Sequence, residues 1–251
     1  MINQQQLWDT EAASRYDTPG EGMFAPEVLE PTVAVLAELA AGGRAVEFAI
    51  GTGRVALPLA AAGVPVTGIE LSDAMIARLR EKAGPEEIPV VRGDMAEASA
   101  GQGFALAFLV FNTISNLLTQ EEQVRCFRNA ARHLAPGGCF VVELWVPQLR
   151  SLPPGRGGTV EVSEPGYLLV DTYDVLQQLV VSHHVRFDPD VSGGREARMG
   201  RTPHRYIWPA ELDLMARLAG FESESRWADW DRSEFTADSR SHVSVYRLPE
   251  R

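Results

Sequence analysis

The sequence predicts an α/β fold, in which a mostly parallel sheet with helices on both faces is followed by a small antiparallel β addition. In the first half of the 251-residue chain, short apolar runs alternate with helix-like segments of about 10 residues. One strand-to-helix turn in that half is rich in glycine. From residue 147 onward the alternation stops, and strand-like segments follow one another with turn residues between them.

The elements of the first half can be justified in order. Two N-terminal helices are expected near residues 4–16 and 26–40. We predict strands at residues 44–48, 64–70, 88–92, 104–111 and 139–146, with helices at 54–62, 73–82 and 121–133. Ser72 is a suitable N-cap for the helix at 73–82, and the Pro-Gly-Gly sequence at 136–138 is expected to close the last helix in a turn.

The second half follows a different pattern. Residues 147–158 are rich in Pro, Gly and Arg and are predicted to form a linker or lid loop. Strand-like segments follow at 159–162, 167–173 and 176–187. A helix at 209–219 is stopped by Gly220, and two further strands are predicted at 222–227 and 242–247.

Composition excludes several classes of partner. The chain has 34 acidic and 23 basic side chains, a net charge of −11, which argues against general binding to nucleic acid or to an anionic membrane surface. No apolar run approaches the ~20 residues that span a bilayer. The polar N-terminus does not resemble a signal peptide, and Cys126 and Cys139 suggest no disulfide framework. We therefore expect a cytoplasmic protein. Composition leaves its oligomeric state open between a monomer and a homodimer.

The most specific local motif is a glycine turn between the first strand and its helix, Glu47-Phe-Ala-Ile-Gly51-Thr-Gly53-Arg-Val-Ala56. Glycines let the backbone turn tightly and approach a ligand, and the helix N-terminus presents free N–H groups to it. Taken alone, Gly51-x-Gly53-x-x-Ala56 fits a dinucleotide fingerprint. NAD binding is therefore one hypothesis, and a purely structural turn is another.

Acidic residues near the ends of the next two strands favour a nucleoside ligand. Glu70 ends the second strand, where a carboxylate can accept hydrogen bonds from both ribose hydroxyls; a first solvated position is the alternative. Asp94 could accept from an adenine amino group with Met95 packed on the ring, although Gly-Asp is also an ordinary turn pair. Glu47 would repel a pyrophosphate but favour the ammonium and sulfonium groups of S-adenosylmethionine.

Four segments carry a resemblance to a known family: VEFAIGTGRVALPLAAAG, VPVTGIELSDAMIARLR, VVRGDM and ARHLAPGGCFVVEL. In this order they resemble the class I S-adenosylmethionine-dependent methyltransferases, over roughly residues 44–146. The resemblance implies a Rossmann-like seven-stranded, mostly parallel sheet with its last strand antiparallel, and S-adenosylmethionine as cofactor, converted to S-adenosylhomocysteine. The residues that map onto the family's cofactor site are Tyr16, Glu47, Ala49, Gly51, Gly53, Glu70, Leu71, Asp94, Met95, Phe111 and Asn112.

The resemblance also has a departure and a domain division. The family usually has glycine where this chain has Ala49, and a left-handed conformation there would cost about 1 kcal/mol. We expect one domain over residues 1–251: a helical cap at 1–43, a cofactor-binding core at 44–146, a β-rich insertion at 147–207, and a closing helix and strand pair at 208–251.

The acceptor is expected to be a small molecule methylated on O or N by in-line displacement, with catalysis mainly from alignment and desolvation. The segment Phe111-Asn112-Thr113-Ile114-Ser115-Asn116-Leu117 lacks the Asn/Asp-Pro-Pro-Tyr/Phe pattern of family members that methylate amino groups of bases or proteins. Asn116 and Trp145 are candidate substrate contacts, with loop capping the alternative for Asn116. No metal-ligand spacing is present, so no metal is expected.

Candidates for a general base are His183, His184, His204 and Glu143. His183 and His184 are adjacent on a predicted strand and therefore face opposite sides. The basic stretch at 195–205 offers Arg198, Arg201 and Arg205 as a clamp for a phosphate or carboxylate on the substrate, with a solvated loop as the alternative.

Two other functions are weighed against methyl transfer. An NAD-dependent oxidoreductase is opposed by Glu47 and by the lack of a Tyr-x-x-x-Lys pair, since Lys82 is the only lysine. A non-catalytic S-adenosylmethionine-binding module would share the cofactor site and differ in having a filled acceptor pocket.

Overall fold

Eleven strands are found in the residues that the computed structural model describes, 7–187 and 197–250. Those of the first half are β1 (Ala45–Phe48), β2 (Val66–Glu70), β3 (Val90–Arg92), β4 (Phe104–Leu109) and β5 (Leu134–Trp145). They are followed by β6 (Gly158–Glu164), β7 (Tyr167–Asp174), β8 (Leu179–Phe187), β9 (Ala197–Arg205), β10 (Glu222–Trp227) and β11 (Ser241–Arg247).

The helices alternate with the strands of the first half, as the sequence predicts. They are α1 (Thr10–Tyr16), α2 (Pro26–Ala40), α3 (Ala56–Ala61), α4 (Asp73–Arg80), α5 (Gln120–His133) and α6 (Pro209–Leu218), with short 3-10 helices at Gly22–Phe24, Thr113–Asn116 and Leu149–Ser151. Ser72 caps α4 by accepting from the Met75 N–H, and Thr119 and Glu122 form a capping box at the start of α5. No helix of the described ranges is long and apolar enough to cross a membrane.

The main sheet has seven strands in the order β10-β11-β5-β4-β1-β2-β3. All of them run parallel except β11, which is antiparallel to both of its neighbours, β5 and β10. Successive residues of β5 bury opposite faces: Phe140 and Val142 pack in a core with α5 and α6, whereas Cys139 and Val141 pack in one with α2 and α3. The predicted α/β class, with an antiparallel last strand, is confirmed.

A second, four-stranded antiparallel sheet has the order β6-β7-β8-β9 and is inserted between β5 and α6. The insertion itself is as predicted, but β9 is a strand that the sequence analysis did not predict, since residues 195–205 were interpreted as a basic loop or clamp. Residue 195 lies outside the described residues. Residues 175–178 form the turn before β8, so this strand begins later than predicted.

Two other boundaries differ from the prediction. Strand β5 begins at Leu134 instead of residue 139, and the Pro-Gly-Gly sequence lies inside the strand beside a register irregularity in its pairing with β4. The predicted closing turn is instead part of β5: its pairing with β4 skips residues 135–138, and the backbone of Gly137 and Gly138 bonds to Leu248, just after β11. Helix α1 begins at Thr10, and residues 4–6 of the predicted helix lie outside the described range. The division into a cap, a core, an insertion and a closing segment stays a prediction.

Candidate cofactor and acceptor site

A cavity of about 350 Å³ lies at the carboxyl ends of β1, β2 and β3, within the usual size range of small-molecule sites. The carboxyl ends of parallel strands meet at one edge of a sheet, which is why residues distant in sequence converge here. The structure brings eight predicted site residues to its wall: Tyr16, Ala49, Gly51, Glu70, Leu71, Asp94, Met95 and Asn116. Glu47, Gly53, Phe111 and Asn112 lie outside this lining.

The glycine turn has the backbone conformation that its residues suggest. Gly51 and Gly53 have φ angles of 58° and 83°, and Ala49 is left-handed as well, with φ at 52°. A Cβ on Gly53 would stand 2.5 Å from the Leu79 side chain, so glycine is required there for space as well as for conformation. Ala49 therefore carries the strain of about 1 kcal/mol that the sequence analysis expects of a left-handed alanine.

Glu70 connects the glycine turn to the end of β2. One carboxylate oxygen accepts from the Gly51 N–H at 2.8 Å, and the other accepts from the Ser72 N–H at 2.7 Å. Burial raises the pKa of Glu70, while these backbone donors oppose the rise. A carboxylate has about four acceptor positions, so the two bonds leave capacity for hydroxyl donors of a ligand in the cavity.

The turn after β3 presents Asp94 and Met95 to the same cavity. One Asp94 oxygen accepts from the Ala96 N–H at 2.8 Å, which fixes the carboxylate at the cavity wall. The Asn129 side-chain amide donates to the Met95 and Ala98 carbonyls at 2.9 Å each and holds the turn against α5. The hydrogen bonds from α5 therefore hold the turn that carries Asp94 and Met95 in a fixed position.

Beneath the glycine turn lies a buried charged group that the sequence analysis did not single out, Arg54. Its guanidinium donates to the Met23 carbonyl at 3.1 Å, hydrogen-bonds to Tyr16 and lies 5.2 Å from the centre of the Phe111 ring. The sequence signal was weak because one arginine after a glycine turn usually faces solvent, whereas Arg54 is only 8% exposed.

Glu47 is the carboxylate that faces this arginine. It is 4% exposed, and its Oε2 has no hydrogen-bond partner. Burial raises the pKa of Glu47 to about 8, with Arg54 acting in the opposite direction. An unsatisfied carboxylate oxygen beside a guanidinium suits the ammonium and carboxylate groups at the methionine end of S-adenosylmethionine, so the residues present fit this cofactor. The same carboxylate disfavours a pyrophosphate.

The turn that follows β4 is strained and firmly held. Phe111 and Asn112 are both left-handed, with φ at 53° and 63°. Glu143 accepts from the Phe111 N–H at 2.7 Å, and the Asn112 side chain accepts from the Trp145 N–H, also at 2.7 Å. The carboxylate of Glu143, one of the candidate bases, thus supports the backbone of this turn. Burial raises its pKa.

From that turn a row of aromatic rings leads to the four-stranded sheet. Trp145 contacts Tyr206 with ring centroids 6.4 Å apart, and Tyr206 contacts Tyr173 at the same separation. We call the face of the sheet that carries Tyr173 the inner face. By strand register its members on β7, β8 and β9 are Tyr167, Leu169, Asp171, Tyr173, Val180, Ser182, His184, Arg186, Arg198, Gly200, Thr202 and His204. On β6 the register adds Thr159, Val162 and Glu164 to this face.

The three histidine candidates are divided between the two faces of this sheet. His184 and His204 are on the inner face, whereas His183 is on the other face, where its Nε2 lies 2.9 Å from the Thr172 hydroxyl. His184 bonds to the Tyr167 hydroxyl at 2.7 Å. The Nδ1 of His204 is buried without a partner, and burial lowers the pKa of His204 to about 4.

The three arginines of the predicted anion clamp do not meet. Arg205 is buried and donates to Gln123, Gln178 and Glu211, the last at 2.7 Å. Arg198 and Arg201 are exposed, and strand alternation directs Arg198 to the opposite face from the other two. Within the described ranges, no group of His, Cys, Asp or Glu residues could hold a metal ion.

A seven-stranded sheet with one antiparallel strand, and an acid-lined cavity at the ends of its first strands, define the class of S-adenosylmethionine-dependent methyltransferases. Residues 45–138 match the family model described as a methyltransferase domain. The CcbJ methyltransferase from Streptomyces caelestis is 35% identical, with a TM-score of 0.83 and coverage of 99% of this chain and 100% of that one. The chain therefore belongs to the class I S-adenosylmethionine-dependent methyltransferases, and S-adenosylmethionine is its cofactor.

Two curated relatives add detail. The cypemycin N-terminal methyltransferase of a Streptomyces species is 26% identical over 261 residues, 97% of this chain and 98% of that protein. The dTDP-4-amino-2,3,4,6-tetradeoxy-D-glucose N,N-dimethyltransferase of Saccharopolyspora spinosa is 36% identical over 99 residues, 39% of each chain. With the family known, the chain is an enzyme of methyl transfer, and the NAD-dependent oxidoreductase hypothesis is wrong.

Proposed function

We propose that this enzyme transfers the methyl group of S-adenosylmethionine to an amine of a small molecule. The observation that carries the proposal is the chemistry of the inner face, where His204 stands in the row of Tyr173 and the Asp171 carboxylate in the next row. Burial lowers the pKa of His204 to about 4, so its imidazole is a neutral acceptor. Hydrogen-bond acceptors suit an amine, which brings N–H donors, better than a carboxylate or phosphate. One relative is named as an N,N-dimethyltransferase and the other as an N-terminal methyltransferase, which supports the same choice.

In this proposal Glu70 would accept from the ribose hydroxyls of the cofactor, Asp94 would accept from its adenine amino group, and Glu47 and Arg54 would hold its methionine end. When bound, the cofactor would supply a methyl carbon activated by a sulfonium. The amine, having released its ammonium proton to solvent, would form the N–C bond with its lone pair, and the electrons of the broken S–C bond would stay on the sulfur of S-adenosylhomocysteine. Trp145 and Tyr206 exclude water from the acceptor side, and the Phe111–Asn112 turn fixes its geometry. An anionic substrate and a monomeric or homodimeric state stay predictions.

The test is a mass-spectrometric screen of the purified enzyme with S-adenosylmethionine and separate sets of amines, alcohols, phenols and carboxylic acids. We expect methylated products from amines. Glu70→Ala should lower the affinity for S-adenosylhomocysteine at least about tenfold in calorimetry, because a charged hydrogen-bond acceptor is lost. The exposed Glu86→Ala is the control and should bind as the wild type does. Products from the oxygen acceptors alone would overturn the choice of an amine.

A further inference from the structure

The inner face of the four-stranded sheet carries two buried polar atoms without a hydrogen-bond partner in the described chain. They are the Oδ1 of Asp171 on β7 and the Nδ1 of His204 on β9. Ser182, between them on β8, hydrogen-bonds to the Asp171 carboxylate and keeps it oriented. Buried polar groups are almost always satisfied in folded proteins, so two on one face point to a ligand that supplies donors.

The register gives the spacing of this pair. Asp171 stands opposite Ser182 and Thr202 in one cross-strand row, while His204 stands opposite Val180 and Tyr173 in the next. The Cα atoms of Asp171 and His204 are two strand spacings apart across the sheet and two residues apart along it, which makes about 12 Å between them. A single ligand atom cannot bond to both side chains, so one molecule serving both must carry two donor groups about 6–8 Å apart.

One end of this pair is close to the end of β5 and to the turn that follows β4. His204 lies two residues before Tyr206, whose ring contacts Trp145 at the end of β5. Strand β9 also packs beside the 3-10 helix Thr113–Asn116, which follows the Phe111–Asn112 turn. Asp171, two strands farther away on β7, is therefore the remote member of the pair.

The charges on the inner face are unevenly distributed. Near Asp171 are the Glu161 carboxylate and the Tyr173 hydroxyl. Burial raises the pKa of Tyr173 to about 12, and the negative charges of Asp171 and Glu161 contribute to this rise. The cations Arg186 and Arg198 stand opposite each other on β8 and β9, in the row of Tyr167, which lies two rows beyond Asp171. The zone between Asp171 and His204 therefore favours hydroxyl or ammonium donors.

We propose that the inner face is a two-point acceptor subsite for a small amine with a second hydrogen-bond donor, a hydroxyl or ammonium, about 6–8 Å from the methylated nitrogen. Asp171 binds the remote donor and sets specificity. The reacting amine arrives with its ammonium proton already released to solvent; His204 accepts one of its N–H groups and directs its lone pair toward the methyl group. This inference rests on the proposed function, because it assumes an amine acceptor.

The experiment compares two acceptors of similar shape, trans-4-aminocyclohexylmethanol and trans-4-ethylcyclohexylamine, of which only the first has the remote hydroxyl. We expect wild-type kcat/KM to favour the amino alcohol about tenfold, as a hydrogen bond to a carboxylate would provide. Asp171→Leu should remove this preference by raising KM for the amino alcohol alone. His204→Phe should lower kcat for both acceptors and leave the preference unchanged.

Controls separate this inference from the proposed function. Glu86→Gln changes an exposed carboxylate that lies outside both the four-stranded sheet and the cavity lining, and it should behave as the wild type. All variants should bind S-adenosylhomocysteine with unchanged affinity, which shows that they are folded. A wild-type enzyme that uses both amines equally, or an Asp171→Leu enzyme that keeps the preference, overturns the two-point subsite alone. An enzyme that methylates neither amine overturns the two-point subsite. An enzyme that methylates oxygen acceptors instead overturns both the subsite and the proposed amine function.

Discussion

At the scale of single residues, Glu47 has the most unusual electrostatic position in the cofactor region. Burial raises the pKa of Glu47 in the folded protein to about 8, well above the ordinary value of 4.5 for a glutamate. Between these two values the folded protein holds a proton that the unfolded chain releases. Stability contributed by this group is therefore present at low pH and is lost as the pH rises from about 4.5 to about 8.

This position predicts a pH-dependent affinity for the cofactor. The ammonium of S-adenosylmethionine favours the Glu47 carboxylate over its protonated form, so binding should release a proton and become tighter between about pH 6 and pH 8. Glu47→Gln should flatten this dependence and lower the affinity about tenfold at pH 8. The free variant should also gain thermal stability over the wild type at pH 8 but not at pH 5. Calorimetry in buffers of different ionisation enthalpy and thermal melts measure both effects.

Glu86→Gln is the matched control, because Glu86 is exposed and lies outside the cavity lining. An affinity of the wild type that does not change with pH, or a Glu47→Gln variant that keeps the wild-type dependence, would contradict this role of Glu47.

Residues of the site differ in how far the sequence could predict them. Glu70 and Asp94 follow strands that were identified from apolar runs, and parallel strands end at one edge, so their convergence on one cavity follows from the order of elements. Arg54 and Asp171 were missed for a physical reason. Their importance depends on burial and on neighbours brought by other elements, and neither quantity has a local sequence signal.

At the scale of elements, β9 shows where local pattern and tertiary structure disagree. Its sequence, ARMGRTPHR, has charged residues, a glycine and a proline, and little β-propensity. The strand forms because it pairs along its whole length with β8, whose apolar and β-branched sequence was recognised. Elements with strong apolar periodicity could therefore be predicted, whereas an edge strand defined by its partner could not.

Arg205 joins the end of β9 to α5 and α6, and its loss should loosen the four-stranded sheet from the main body. Arg205 is 5% exposed, and its guanidinium donates to side chains of α5, of the turn before β8 and of α6: Gln123, Gln178 and Glu211. Arg205→Met leaves these acceptors without their donor, and we expect a loss of about 3 kcal/mol in the free energy of unfolding, measured in urea.

Arg198→Met, on the same strand, provides the comparison. Arg198 is exposed, so its replacement should change the free energy of unfolding by less than about 0.5 kcal/mol. Equal stability of the two variants would contradict the structural role of Arg205. A large loss of acceptor affinity in Arg198→Met would instead favour the arginines as an anion clamp.

At the scale of the whole molecule, charge acts on the acceptor before it reaches the site. The net charge of −11 creates a negative potential around the protein, and a cationic molecule is attracted by it over distances comparable to the Debye length. The isolated arginines Arg198 and Arg201 do little to reverse this potential, because they lie on opposite faces of the sheet. The overall field and the acidic part of the inner face therefore favour the same class of acceptor.

This agreement predicts how salt affects catalysis. trans-4-Aminocyclohexylmethanol is a cation at neutral pH, so its kcat/KM should fall several-fold between about 20 mM and about 300 mM salt, as screening removes the attraction. The zwitterion trans-4-aminocyclohexanecarboxylate has the same amine and no net charge, and its kcat/KM should change less than about twofold. Stopped-assay kinetics at saturating S-adenosylmethionine compare the two. The opposite result would be a zwitterion that is the better acceptor and loses more activity with salt. In that case arginines near the site attract the carboxylate of the acceptor, and the natural acceptor is an anionic molecule, as the basic stretch at 195–205 suggests.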